Sequence, residues 1–180
     1  MSMPCKSQAN SEIAPEAELP KLLDRLKQDH AELLQVLMDL ENQASQTERE
    51  ADKNHAMVSL LHLRLWTLGF KEELNRHSEW EERELFPLLN ICCQGHNTLS
   101  ATPTLCDLEK DHELAMNYMD TFLRAVHALK SDSEAMPMKQ AASYLTYACR
   151  ILIKHLEQEE KLIYPLTEQV STDTSYFSYD

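Results

Sequence analysis

The sequence predicts an all-α domain that folds as an up-down-up-down four-helix bundle. Only two of its 180 residues are glycine, whereas leucine, glutamate and alanine are abundant, and this composition favours helices over tight hairpin turns. Four long segments carry apolar residues at helical spacing, and no segment shows the alternation that is typical of a strand. Long helices joined by short or moderate loops favour a bundle.

The first two helices are predicted from their apolar stripes and from the residues at their ends. The first begins near Pro20, places His30 on the same face as a row of leucines, and gives way to the polar segment 43–54. The second covers roughly residues 55–85. Pro87 is expected to end it, because proline lacks a backbone donor and disfavours helical geometry in the residue before it.

The third and fourth helices repeat this arrangement. After a loop marked by Gly95 and Asn97, the third helix runs from about residue 103 or 104 to about residue 129. The fourth runs from about residue 136 to 163 and is expected to stop before Pro165. The chain therefore divides into a flexible N-terminal tail at 1–18, the bundle at 19–168 and a C-terminal tail at 169–180.

Charge and cysteine content limit the classes of partner. A net charge of −13 repels phosphate backbones and anionic lipids, so neither nucleic acid nor a membrane is an expected partner. No apolar run approaches the roughly 18 residues of a membrane-spanning helix, and the N-terminus shows no secretory signal. The five cysteines are scattered without a Cys-x-x-Cys pair, which favours free thiols in the cytoplasm.

The sequence contains one motif twice. Each copy has a histidine, a glutamate doublet beginning four residues later, and then two apolar residues and a proline. An Asp-His pair precedes each copy by about forty to fifty residues. The residues are Asp29-His30 with His77-x-x-x-Glu81-Glu82-x-x-Leu85-Phe86-Pro87, and Asp111-His112 with His155-x-x-x-Glu159-Glu160-x-x-Ile163-Tyr164-Pro165.

Placed on four antiparallel helices, the repeated histidines reach one level. At a rise of ~1.5 Å per residue, each lies ~13–15 Å from the same end of the bundle. A histidine and a glutamate four residues apart share a helix face, so both can reach one centre. The predicted metal ligands are His30, His77, Glu81, His112, His155 and Glu159. Mixed nitrogen and oxygen ligands suit iron or manganese best, with zinc as a substitute.

Simpler interpretations exist at individual positions. A single His-x-x-x-Glu is often only a helical surface pair, and a lone histidine on an apolar face is usually part of the core. His55 and His62 lie ~33 Å and ~22 Å along the second helix from His77, which is too far for the same site. Glu82 and Glu160 are either exposed to solvent or hydrogen-bonded to a ligand. Asp29 and Asp111 either orient ligands or are solvated acids, and these alternatives stay open.

The two motifs resemble the signature of the hemerythrin-like, or HHE cation-binding, family, and the resemblance covers about residues 20–168. It implies a four-helix bundle around two non-haem iron ions with an oxo or hydroxo bridge, held by the six residues named above. Manganese or zinc would be substitutes. The implied partner is a small diatomic molecule or peroxide.

One departure separates the chain from the oxygen-carrying hemerythrins. Those proteins have a second histidine four residues after the third-helix ligand and a final aspartate five residues after the last histidine. Here Met116 follows His112 by four residues, and Glu159 follows His155 by four. The resemblance is therefore to the branch with iron–sulfur-centre repair proteins and with iron- and oxygen-sensing domains, and the two ions are expected to be nearly equivalent.

Three functions remain open from the sequence. The leading one is a di-iron protein that binds or reacts with O2, NO or peroxide in stress defence, sensing or iron handling. A second is enzymatic, as an iron–sulfur-cluster repair protein or a reductase of NO or peroxide. A third is a non-catalytic interaction module that metal stabilises. Binding is favoured over catalysis, no catalytic residue is assigned, and no protein partner is predicted.

Overall fold

A computed structural model describes the backbone of residues 15–93, 101–130 and 133–174, and the side chains of 18–91, 110–130 and 133–165. Over these residues the chain is helical, without strands. The helices are α1 (Pro15–Arg49), α2 (Lys53–Trp80), α3 (Phe86–Cys93), α4 (Ala101–Ala128) and α5 (Ala135–Thr174). A π-helical turn, Glu81–Leu85, joins α2 and α3 into one continuous rod.

The rods pack as a four-helix bundle, which confirms the predicted fold class. The rod of α2 and α3 packs on α1, α1 and α4 both pack on α5, and α2 also contacts α4. The turn between α1 and α2 is short, and Asp52 begins α2 by accepting hydrogen bonds from the backbone of Asn54 and His55. No helix in the described part of the chain is both long and apolar enough to cross a membrane.

The predicted helix ends are wrong at three prolines. Pro20 lies inside α1, which begins five residues earlier, and Pro165 lies inside α5, which continues to Thr174. Pro87 is the second residue of α3 and does not stop the rod. Parts of both predicted tails, residues 15–18 and 169–174, are thus helical, while residues 1–14 and 175–180 lie outside the described structure.

The π-helical turn provides a physical reason for the continuity at Pro87. Proline in an α-helix removes one hydrogen bond, and its ring collides with the carbonyl four residues earlier. In the wider turn the backbone N–H of Phe86 donates to the carbonyl of Glu81, five residues earlier. This change of hydrogen-bond pattern comes directly before the proline and gives its ring room.

Two apolar clusters fill the bundle, one on each side of a polar layer. The larger cluster contains Leu37, Leu63, Phe122 and Leu145, and the smaller contains Leu26, Trp80, Leu85, Leu89 and Ile163. Leu85 and Ile163 occupy equivalent places in the two motifs, and both are fully buried. The repeated apolar residues therefore close one end of the polar layer.

We expect the stability of the protein to depend on which face of α2 a substitution alters. Leu63 is fully buried, whereas Leu61 on the same helix is 48% exposed. Replacing Leu63 with alanine should lower the free energy of unfolding by about 2–5 kcal/mol, because the lost contacts leave a cavity. Leu61→Ala, the matched control, should change it by less than about 0.5 kcal/mol. Urea unfolding of the metal-free protein, followed by circular dichroism, measures both, and equal losses would contradict the packing described.

Candidate metal centre

All four rods of the bundle contribute to one polar cluster. His30 comes from α1, His77 from α2, and Glu81 from the first position of the π-helical turn. His112 comes from α4, while His155 and Glu159 come from α5. Five of these six side chains are buried, and His112 is partly buried. The structure thus brings the six predicted ligands to one level between the two apolar clusters.

Four of the six side chains form a tight group. His30, His77, Glu81 and Glu159 each offer one ligand atom, and these atoms lie within 4.8 Å of one another. Nε2 of His77 is 2.9 Å from Oε1 of Glu81. Nε2 of His30 is 3.5 Å from Oε2 of Glu159 and 3.8 Å from Oε1 of Glu81. These separations suit several donors that face one ion.

The other two histidines lie together next to Glu159. The ring centres of His112 and His155 are 4.2 Å apart, and those of His30 and His77 are 5.0 Å apart. Nε2 of His155 is 3.7 Å from Oε2 of Glu159. The cluster therefore has two imidazole pairs, and the Glu159 carboxylate contacts one histidine of each.

Several donor atoms of this cluster make no well-aligned hydrogen bond among the described residues, although Nε2 of His77 lies only 2.9 Å from Oε1 of Glu81. They include the Nε2 atom of all four histidines, Oε1 of Glu81 and Oε2 of Glu159. Leaving such an atom unpaired in an apolar surrounding costs about 1–3 kcal/mol, and more when the group is charged. Coordination of cations would satisfy all of these atoms at once, so the donor set fits metal ions.

The charges of His30 and the two glutamates depend on each other. Burial by itself lowers the pKa of His30, but the neighbouring carboxylates of Glu159 and Glu81 outweigh it and raise that pKa to about 9. Burial acts to raise the pKa of Glu81, yet His30 and His77 hold it at about 2. Burial and the nearby Glu81 raise the pKa of Glu159. In the metal-free protein, a protonated His30 thus offsets part of the buried negative charge.

His112 and His155 behave in the opposite way. Burial, together with the proximity of His112, lowers the pKa of His155 to about 3. Burial also lowers the pKa of His112. Both rings are therefore neutral at pH 7, and neutral imidazole is the form that binds a metal ion.

Side chains behind the ligands contact the outer nitrogens of three histidines. Oε1 of Glu160 is 3.2 Å from Nδ1 of His30, and Oδ2 of Asp29 is 3.7 Å from Nδ1 of His77. Oγ of Ser78 is 2.9 Å from Nδ1 of His112. Such contacts fix the ring so that Nε2 faces the centre.

Sequence reasoning named Glu160 and Asp29 as candidates for these contacts but missed Ser78. The only available signal was its position directly after His77, which places it about 100° further around the helix.

Burial, with the adjacent Glu160 carboxylate, raises the pKa of Tyr164 to about 12.

Other residues considered from the sequence lie away from the cluster. Glu82 is exposed, and so are His55 and His62 on the outer surface of α2. Gly69 does not interrupt that helix, so the predicted separation of His62 from His77 is maintained. Met116 packs against the larger apolar cluster.

Comparison with protein families identifies the family of the chain. The model of the hemerythrin HHE cation-binding domain matches residues 21–167, which is most of the chain. Searches of curated proteins and of solved structures gave no significant match.

We expect metal uptake at pH 7 to displace a proton from His30. Because the metal-free ring has a pKa of about 9, it is protonated at neutral pH and must become neutral to bind. Cobalt(II) binding should then release about one proton from this ring at pH 7, and the apparent affinity should rise with pH up to about 9. Calorimetry in buffers with different ionisation enthalpies measures the release.

The same protein provides the control at higher pH. Above pH about 9 the His30 ring is already neutral, so its proton release should disappear. A release that stays constant from pH 7 to pH 10 would contradict this assignment.

Proposed function

Because this chain belongs to the hemerythrin HHE cation-binding domain family, we propose that it holds two iron ions and there binds or reacts with O2, NO or peroxide. The proposed ligands are the six predicted from the sequence: His30, His77, Glu81, His112, His155 and Glu159. Manganese and zinc are the expected substitutes, because both accept mixed nitrogen and oxygen donors.

One observation carries the proposal. The six side chains converge between two apolar clusters and leave donor atoms unpaired among the described residues. A structural polar network in a core has its hydrogen bonds satisfied, because half-satisfied networks destabilise a fold. Unpaired nitrogens and carboxylate oxygens that face a common centre are instead what a metal site requires.

The residues divide into two roles. His30 and His77 would hold one ion and His112 and His155 the other, with Glu81 and Glu159 as ligands available to both. The two carboxylates offset half of the +4 charge of two divalent ions. When bound, iron would supply redox chemistry and an open coordination position for a small ligand. The apolar clusters keep bulk water away from the centre.

The role of such a centre is proposed as ligand binding in stress defence, sensing or iron handling. The carboxylates and imidazoles of the cluster are all accounted for as ligands, and no additional nucleophile or acid is required for that role. Turnover of NO or peroxide, or restoration of a damaged iron–sulfur enzyme, would favour the enzymatic alternative. Metal that only raises the melting temperature, without a ligand-dependent spectrum, would favour the interaction module.

We expect purified protein from iron-rich medium to contain about two iron ions, as its two imidazole pairs require. His77→Ala and His155→Ala should each lose at least one ion, because each removes a donor that the chain does not replace. His62→Ala is the matched control, since His62 is an exposed histidine on the same helix as His77. It should retain the full content, measured by elemental analysis.

The oxidised and reduced optical spectra provide the second measurement. An absorption band from ligand-to-iron charge transfer should change on reduction and on addition of O2 or NO. Iron at stoichiometric amounts without such changes would contradict ligand binding, and absence of iron in all preparations would contradict the metal centre.

A further inference from the structure

The six predicted ligands repeat along the chain, but the residues behind them do not. We propose that the two ion positions are unequal. The ion between His30 and His77 binds first and more tightly, and the ion between His112 and His155 binds second and exchanges more readily. This inference rests on the proposed function and concerns the order in which its metal centre fills.

The first argument is the geometry of the donors. The group of four that lies within 4.8 Å includes His30, His77 and both shared carboxylates. Two imidazoles and two carboxylates supply four donors, which is enough for one ion. The donor nitrogens of His112 and His155 lie outside this group. We call the first group the inner position and the His112–His155 pair the outer position.

The second argument is the charge behind the inner position. Glu160 lies 3.2 Å from Nδ1 of His30, and Asp29 lies 3.7 Å from Nδ1 of His77. Glu160 is at hydrogen-bond distance, and a carboxylate that accepts from an imidazole N–H makes the ring a stronger donor to metal, whereas Asp29 is at ion-pair distance and acts through its charge. The two carboxylates also add negative charge near the bound cation, and charge-assisted hydrogen bonds are about twice as strong as neutral ones.

Asp29 is itself held in place. Its Oδ2 lies 3.6 Å from Nε of Arg25, and the Arg25 guanidinium lies 4.2 Å above the ring of Trp80. Trp80 is buried in the smaller apolar cluster. The Arg25 side chain thus restrains the carboxylate behind His77.

The outer position has weaker support. Nδ1 of His112 lies 2.9 Å from the neutral hydroxyl of Ser78. Nδ1 of His155, like Nδ1 of His77, has no hydrogen-bond partner among the described residues, but Nδ1 of His77 differs in having the Asp29 carboxylate 3.7 Å away. His112 is also only partly buried, whereas the other three histidines are buried. The donor Nε2 atoms of all four histidines are nonetheless buried, so the two positions differ in their supporting groups rather than in solvent access.

The repeat allows the residues behind the two positions to be compared one by one. Glu82 corresponds to Glu160 but is exposed, and Asp111 corresponds to Asp29 but forms no ion pair within 4.0 Å with either histidine of the outer position. Glu82 lies in the π-helical turn, whereas the equivalent stretch of α5 remains α-helical. The backbone after the histidine therefore has π-helical hydrogen bonds in the first copy and α-helical ones in the second. Glu82 and Glu160 consequently have different surroundings.

The test is an anaerobic titration of the metal-free full-length chain with cobalt(II), followed by its visible absorption and by calorimetry. The wild-type protein should bind two equivalents in two steps of different affinity. Asp29→Asn and Glu160→Gln should each weaken the tighter step by about 10- to 100-fold and leave the weaker step nearly unchanged.

The counterparts in the repeat are the matched controls. Asp111→Asn and Glu82→Gln remove the same charges from the same chain, and both should leave the tighter step unchanged. Circular dichroism of each metal-free variant tests whether the fold is retained. Ser78→Ala should weaken only the second step.

Two further variants assign the steps to positions. His112→Ala should retain the tighter step, and His30→Ala should lose it. Two equal constants in the wild-type protein, or an equal loss in the variants and their counterparts, would overturn the order of filling. Absence of cobalt binding in the wild-type protein would contradict the proposed function itself, so the two failures can be distinguished.

Discussion

The burial of two carboxylates and four imidazoles in one layer is the constraint on which the rest of this structure depends. Moving an ionised carboxylate out of water without a partner is far more costly than any single packing contact can offset. In the metal-free protein, protonation of His30 offsets part of that charge, and its raised pKa measures how strongly the carboxylates hold the proton. The clusters on either side must therefore be large enough to keep the layer together.

The position of this layer could be predicted because it depends on local geometry. In a helix the height of a residue follows from its sequence number, so four histidines at matched distances from one end must lie at one level. The bundle itself adds only the condition that neighbouring rods are antiparallel. His30, His77, His112 and His155 satisfy both conditions, and the structure brings them together with Glu81 and Glu159 as expected.

The groups behind the ligands could not be predicted in the same way. Whether Ser78 or Glu82 reaches the outer nitrogen of His112 depends on the distance and rotation between two rods, and the sequence pattern contains neither. The helix ends were wrongly predicted for a related reason. A proline within a helix costs about 3 kcal/mol, but fully burying one leucine or isoleucine contributes about 1.5–3 kcal/mol. Ile163, which is fully buried, thus offsets much of the cost of Pro165, while the π-helical turn accommodates Pro87.

The duplicated motif and the unequal positions are compatible, because a repeat specifies residue types but not their surroundings. Glu81 and Glu159 have the same role in the two copies, yet only the first begins a π-helical turn. A small ligand that competes for a coordination position meets less resistance where the groups behind the ligands are neutral. On the proposed order of filling, that is the side of His112, whose Nδ1 contacts the hydroxyl of Ser78. The inner ion would then keep three of the four rods in register, namely α1, the rod of α2 and α3, and α5. Carboxylates available to both ions would couple the two positions, because the charge at one position sets the field at the other.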